Sequence, residues 1–483
     1  MKRAIGFAAF VCVLVAACSA VNPGPGPGPG PGLQQGSGGV LPTKPGSVAS
    51  ACVPPGSPNS NWFPHANTPA PDSMDFGSNS TNCDFHIWSW NAFLWLTQDV
   101  GGQPRFLTMT TDGVGGVADG VLDPLIGRAQ QARTVELIDQ AGPDGVLVDR
   151  NGRAVYYSIH SNDVFGQFIA NNGLQDPKKL RAFNPDTAFP VNSMTLKAAW
   201  RVVQPGEDVS TFYTRQAQIA KLGMRKGKIV ATGDTETQTV ALVGFHIGGT
   251  VNGHPEMIWA TFEHQANAPD LPQPMEKMQP NDIVSGKDWT FYQANTPLKQ
   301  CNLNAAGSGA LTLNAQTQTL SPVTQVCRMV PYGGEKPCPP GATDCNIPNI
   351  MSMNTSVQSQ LNDVWKNYFE VGAIWFNQLD ALQPNCTFQP GSSLECVPPD
   401  KTSPLLTGSM RLSNSTIETF TQVQSTQDNC FACHNTTQVI SPDPRAQSLP
   451  GLNVNLSHVV INDYFQAQLP QKAPPAPRPA AQR

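Results

Sequence analysis

Charge is what this sequence has least of. Asp, Glu, Lys and Arg make up 13% of its 483 residues, about half the roughly 25% of an ordinary soluble protein. The 30 basic residues against 35 acidic ones leave a formal net charge of −5, with no long Lys/Arg run. The electrostatic footprint of a nucleic-acid binder is therefore missing, and nucleic acid is not an expected partner. Beyond the N-terminus no apolar run approaches the length of a membrane-spanning helix. A GxGxxG after a strand, a Walker A loop, HExxH and GxSxG are all absent, which leaves NAD, ATP, zinc-protease and serine-hydrolase readings without support. Methionine stops at Met410. Proline is abundant, at 45 residues, nearly twice its usual share, which favours loops and strands over a helical bundle. Apolar content is ordinary, so the chain can bury a sizeable core in one to three domains.

The N-terminus reads MKRAIGFAAFVCVLVAAC. Lys2 and Arg3 form a positive region, and Ala4 to Leu14 an apolar stretch too short to span a bilayer stably. Val15-Ala16-Ala17-Cys18 resembles the lipobox of bacterial lipoproteins. That resemblance implies a signal peptide over 1–17 and a lipid on Cys18; the alternative is ordinary cleavage near Ala17 or Ala20. Ser19 rather than Asp after the cysteine implies the outer membrane by the enteric sorting rule. Residues 18–50 are rich in Gly, Pro and Ser and read as a tether, reaching at most roughly 100 Å if extended. The body is expected to be exported, in the cell envelope, and held to the membrane through the lipid alone.

Of twelve cysteines, Cys12 leaves with the signal, Cys18 takes lipid, and Cys430 and Cys433 share a motif. The eight others are Cys52, Cys83, Cys301, Cys327, Cys338, Cys345, Cys386 and Cys396. An even remainder in an oxidising compartment predicts four disulfides. Eight cysteines allow 105 pairings, of which nearest-neighbour pairing (52–83, 301–327, 338–345, 386–396) is the simplest.

Residues 430–434 read Cys-Phe-Ala-Cys-His. This spacing suits covalent haem: two thiols one helical turn apart add to the two vinyl groups, and the adjacent imidazole ligates iron. A CxxC redox dithiol is the rival, but it lacks a thioredoxin-like βαβ context. The motif resembles that of c-type cytochromes, which implies haem c on Cys430 and Cys433 with His434 as the proximal ligand. More loosely, the chain is similar to large exported bacterial proteins of the cytochrome c family with one C-terminal CxxCH. The similar pieces are Trp259-Ala260-Thr261-Phe262-Glu263-His264, Leu196-Lys197-Ala198-Ala199-Trp200 and Trp90-Asn91-Ala92-Phe93. That likeness implies an architecture and little function.

Small cytochromes of this family place an axial methionine downstream of the motif; here none follows Cys433. His458, in Leu456-Ser457-His458-Val459, is the distal candidate. Met410, Met351 or Met353 upstream is an alternative, as is five-coordinate or Lys/Tyr-ligated iron.

Ser415-Thr416-Ile417-Glu418 reads as a capping box, with Asn414 an alternative cap, so a short helix is expected before the motif. Val459 to Phe465 can pack on the haem edge, and the Pro/Ala/Gln-rich end is expected to fray. The middle of the chain reads as β. Asn151-Gly152 between two β-prone runs predicts a hairpin over 145–160, and 240–264 repeats the pattern with a turn at 250–255. Residues 196–203 form a further strand. Alternation puts His246 on a face with Leu242 and Gly244, and His264 with Ile258, Ala260 and Phe262. His246, His254 and His264 read as core or rim histidines, with a metal set or haem-pocket role as the alternative. Phe85–Thr97, apolar nearly all round, predicts a buried helix. A second helix is expected over 356–369, followed by a strand at 370–376.

The sequence therefore predicts an α+β protein with a mainly β, antiparallel or sandwich-like body and a small helical cytochrome c segment. The divisions are signal peptide 1–17, tether 18–50, β-rich body 51–300, Cys-rich segment 301–400, mono-haem segment 401–472 and disordered tail 473–483. Electron transfer with a redox partner protein or a small acceptor is the leading function. A haem oxygenase or peroxidase, and a binding module with structural or sensory haem, are the alternatives.

Overall fold

The computed structural model describes residues 52, 61–71, 76–111, 141–142, 145–225, 227–333, 344–388, 405–423, 429–441 and 444–468. The signal peptide, Cys18, the tether and the tail lie outside them. An antiparallel sheet of eight strands dominates: β1 (Thr110–Thr111), β2 (Tyr156–Ser161), β3 (Met194–Val202), β4 (Thr214–Arg225), β5 (Lys228–Val251), β6 (His254–His264), β7 (Tyr368–Phe376) and β8 (Leu406–Gly408). Their order is β8-β7-β6-β5-β3-β2-β1, with β4 also on β5. Ala241 pairs with Arg201 of β3 on one side and Thr214 of β4 on the other, so β4 and β6 follow one another along the same edge of β5. The protein is α+β with a mainly β body. Its layers are helices, one sheet, and the C-terminal segment.

The hairpin expected over 240–264 is β5–β6, closed at Val251 and His254. The one expected over 145–160 forms otherwise. Asp149 accepts from the backbone N–H of Asn151 at 2.9 Å and Arg153 at 2.8 Å, tightening the turn to one bridge between Val148 and Ala154. β2 then pairs with β3.

Helix α1 (Asn82–Thr97) starts in a Thr81–Asp84 capping box and is buried along most of its length, as its lack of a polar side requires. It seals one face of the sheet. Phe93 stacks on Phe262 at 4.4 Å, and Phe85 on Trp375 at 4.1 Å. Each such ring contributes about 1.5–3 kcal/mol by leaving water. The second helix, α2 (Asn346–Gln360), begins ten residues earlier than the sequence suggested. Its buried side combines an apolar stripe, Ile350, Met353 and Val357, with asparagines: Asn346 meets His86, Asn349 meets Asn82, and Asn354 accepts from the Trp90 indole at 3.0 Å. A 3₁₀ turn capped by Asp363 separates α2 from β7.

The opposite face carries the C-terminal segment. Residues 415–423 form successive turns and not the expected helix. The Ser415 hydroxyl goes to Glu263, and the cap is the alternative, Asn414, which accepts from the N–H of Thr416 and Ile417 while its own N–H donates to Glu418. Asn414 also donates to Thr261 Oγ1 and Phe262 O, each at 2.8 Å. Gly244 is needed here because a Cβ would collide with Thr416. This segment is consequently fastened onto the sheet, and β8 belongs to the sheet itself.

Cys52–Cys83 and Cys301–Cys327 are disulfides, as nearest-neighbour pairing expects. Cys338 and Cys396 lie outside the described residues. Cys345, Cys386 and Cys433 are also disulfide-bonded.

Candidate functional site

The CxxCH turn sits on the C-terminal face of the sheet. Helix α3 (Cys430–Cys433) is a single turn whose cap, Asn429, accepts from the Ala432 N–H at 3.2 Å. Phe431 docks it, packing on Phe376 of β7 at 4.9 Å and on Phe388 at 5.9 Å. His434 follows, tied by its N–H to Cys430 O at 2.7 Å. Helix α4 (His458–Gln468) closes the site, burying Val459, Val460, Ile461, Tyr464 and Phe465.

His434 Nδ1 lies 2.7 Å from Leu456 O. A carbonyl only accepts, so Nδ1 carries the proton and Nε2 keeps its lone pair. Ligating histidines are prepared in this way, with the remote nitrogen donating to a carbonyl or carboxylate. The His434 ring stacks with Trp259 at 3.8 Å and with His458 at 3.9 Å. His458 Nε2 meets Cys433 O at 3.2 Å.

His246 on β5 also reaches this site. Its Nε2 is 3.4 Å from Cys430 Sγ, and its Nδ1 is 3.6 Å from Glu418 Oε1. The His246 and His434 ring centres are 6.4 Å apart, nearly perpendicular at 79°. Glu418 is held from behind by the Asn414 N–H at 3.0 Å. Across the β3–β5 pair from His246 stands Lys197. Alternation identified the His246–Gly244 face correctly, but a bulge opposite Ala199 and Trp200, where β5 carries the extra residue Val243, sends Leu242 to the α1 side. A haem-pocket role for His246 is the alternative that the sequence leaves open, and the structure places His246 beside the motif.

Burial governs the electrostatics. It holds His434 well below the ordinary imidazole range, with His458 adding to the shift. Burial likewise lowers His246 to about 3, helped by Lys197 and His458, and His458 to about 4, against the Cys433 carbonyl. All three rings are neutral at pH 7, the form that binds metal. Glu418 is pushed up to about 8 by burial, although Lys197 opposes the shift. Burial and Glu418 together raise the Cys430 thiol well above its ordinary value.

Cys430, Cys433, His434 and His458 thus come together as the sequence suggested. Met410 packs half-buried against the same apolar cluster. Met353 lies in the core beneath α1, on the far side of the sheet. His254 and His264 are elsewhere. His254 pairs with Glu256 at 2.7 Å, and His264 stacks on Phe212 and meets Thr211 O at 3.0 Å. Sequence reasoning missed Glu418 and Trp259 as site residues. Among the described residues, no three His, Cys, Asp or Glu are arranged to hold a bare metal ion, and no helix is long and apolar enough to cross a membrane.

The donor set fits haem c. His434 offers an oriented Nε2, the motif thiols share one turn, and Phe431, Val459 and Trp259 supply apolar walls. The Trp259 Nε1–H is buried without a partner among the described residues, a donor suited to a carboxylate such as a haem propionate. Cys430 is a free thiol, whereas the Cys433 disulfide must open before its sulfur can form a thioether. Compared with protein-family models, with curated proteins and with solved structures, the chain matches none.

Proposed function

We propose that the chain is an exported, lipid-anchored mono-haem c-type cytochrome that transfers electrons in the cell envelope. The observation that carries this reading is His434, directly after the two motif cysteines, with Nδ1 committed to Leu456 O and Nε2 unprotonated. When bound, haem supplies a one-electron couple whose potential follows from axial ligation, hydrogen bonding and burial. The chain's own residues do the rest. The Leu456 carbonyl fixes the His434 tautomer. Trp259 and Phe431 exclude water, and Cys430 and Cys433 hold the group against loss. Its partner is a redox protein or a small electron acceptor. Cys18 carries the lipid in this reading, and the outer membrane is the proposed site.

Thiol–disulfide exchange is a second reading, favoured by the Cys433 disulfide beside the free Cys430. The Cys430 environment opposes it. Exchange needs a thiolate, and burial beside Glu418 keeps this thiol protonated.

Changing both Cys430 and Cys433 to Ala is expected to abolish haem that survives a denaturing gel. In-gel haem staining that persists in the double variant, or is absent from the wild type, overturns the reading. Cys18→Ala is expected to release the protein from membranes with its haem intact. Failure of the wild type to incorporate a radioactive fatty acid would remove the anchor.

A further inference from the structure

We infer that His246, on strand β5, is the second axial ligand of the haem iron opposite His434. This rests on the haem c reading above and names a residue 188 positions upstream of His434 in the sequence.

Three imidazoles crowd the motif, and their orientations separate them. His434 and His458 are face-stacked, 3.9 Å apart and only 17° from parallel. Rings stacked in this way direct their nitrogens sideways, and no iron fits between their faces. His458 Nε2 is, moreover, already set against Cys433 O at 3.2 Å. His458 ligation would require the stack to open and that contact to break.

His246 needs no stack to open, and its Nε2 contact with Cys430 Sγ, at 3.4 Å, is one that is given up when that sulfur forms its thioether. With metal–imidazole bonds of about 2.0–2.1 Å, two rings on one metal have centres roughly 6 Å apart. The His246–His434 separation is 6.4 Å, with the rings nearly perpendicular at 79°. Remote nitrogens give the second argument. Ligating imidazoles present one nitrogen to the metal and turn the other toward a carbonyl or carboxylate. His434 turns Nδ1 to Leu456 O at 2.7 Å, and His246 turns Nδ1 to Glu418 Oε1 at 3.6 Å. Glu418 Oε1 has no hydrogen-bond partner among the described residues. A small shift would close this gap into a hydrogen bond. His246 Nε2 faces Cys430 Sγ at 3.4 Å, so it lies beside the thiol that attaches the group.

His246 stands on a long, doubly paired strand, whereas His458 is the first residue of α4. A strand-borne ligand would bind the C-terminal segment to the sheet through the iron, explaining why this cytochrome segment is fastened to a large body.

The test compares full-length holoprotein as wild type, His246→Ala, His458→Ala and His246→Met. In-gel haem staining is read first, then the oxidised and reduced absorption spectra with and without carbon monoxide. Wild type and His458→Ala are expected to be low-spin and to leave carbon monoxide unbound. His246→Ala is expected to turn high-spin, bind carbon monoxide to full occupancy and return to low-spin with added imidazole. If His246→Ala yields no haem-bearing protein, His246→Met decides: a new thioether–iron band supports the assignment, and an unchanged bis-imidazole spectrum overturns it. A low-spin His246→Ala overturns it, as does a high-spin wild type or a His458→Ala that alone becomes high-spin. In each of these cases haem staining persists, so the covalent haem reading survives. Absent staining in the wild type refutes that reading and this inference together.

Discussion

The two faces of the sheet come from the same strands and are used in opposite ways. Alternate residues of β5 and β6 face α1: Phe245, Ile247, Ala260 and Phe262, in a core of stacked aromatic rings. Their neighbours, His246, Trp259 and Glu263, face the C-terminal segment, and there they meet buried imidazoles, carboxyls and a thiol. The first face is closed by dispersion and apolar burial, which need no particular partner atom. The second also buries an apolar cluster, including Phe376, Phe431, Leu452 and Ile461, and adds named hydrogen bonds that collapse if one partner goes. A strand with period two can supply both surfaces at once, so a stable scaffold and a reactive site need not compete for positions.

The largest effect expected on stability is on the α1 face. Phe93 is fully buried and packs against Phe262, Phe245 and Trp90. Phe93→Ala is expected to lower stability by about 3–5 kcal/mol, read by chemical denaturation, with covalent haem per folded molecule unchanged. Loss of haem attachment in a folded Phe93→Ala protein would show that the faces are not independent.

A smaller change on the other face should act on the site directly. A Cβ at Gly248 would stand 2.7 Å from the Trp259 indole, and Trp259 stacks on His434. Gly248→Ala is expected to cost about 1–3 kcal/mol through overpacking and to move the haem absorption bands. A stability loss with an unmoved spectrum would mean that Trp259 does not touch the ligand environment.

This contrast also explains what the sequence could reveal. Local patterns were legible: the β5–β6 hairpin turn, the all-round apolar α1 and the CxxCH spacing each depend on residues close in the chain. Helix α2 begins ahead of its apolar stripe because its first buried positions, Asn346 and Asn349, are asparagines bonded to specific partners, followed by Ile350, Met353 and Val357. Glu263, far upstream, takes the Ser415 hydroxyl, so the cap falls to the alternative, Asn414, and turns follow it instead of a helix. His246 was placed on a strand, yet its role depends on a segment folding back across 184 residues to Cys430. Alternation says which residues share a face and nothing about what will cover it.

Unit by unit, the smallest expected effects concern pH, where the two faces have opposite signs. His160 on β2 is buried, in edge contact with Phe106 at 5.6 Å, and its Nδ1 has no partner among the described residues. Burial lowers it to about 3, whereas in the unfolded chain it titrates near 6.5. Between those values the unfolded state binds the proton and the folded state does not. This contribution to stability is therefore present above 6.5 and lost as pH falls toward 3. Glu418 runs the other way. Folding raises it to about 8, so its contribution is present below the unfolded value and lost as pH rises through 8. Each group changes stability by at most about 1.4 kcal/mol per pH unit within its window. His160→Leu is expected to shallow the decline below pH 6.5 without altering the alkaline side. Glu418→Gln should flatten the decline that runs from the unfolded carboxyl value of about 4.5 up to about 8 and leave the His160 contribution in place. Denaturant midpoints across pH 4–9 check both. An alkaline limb that persists in Glu418→Gln would assign that decline to another group.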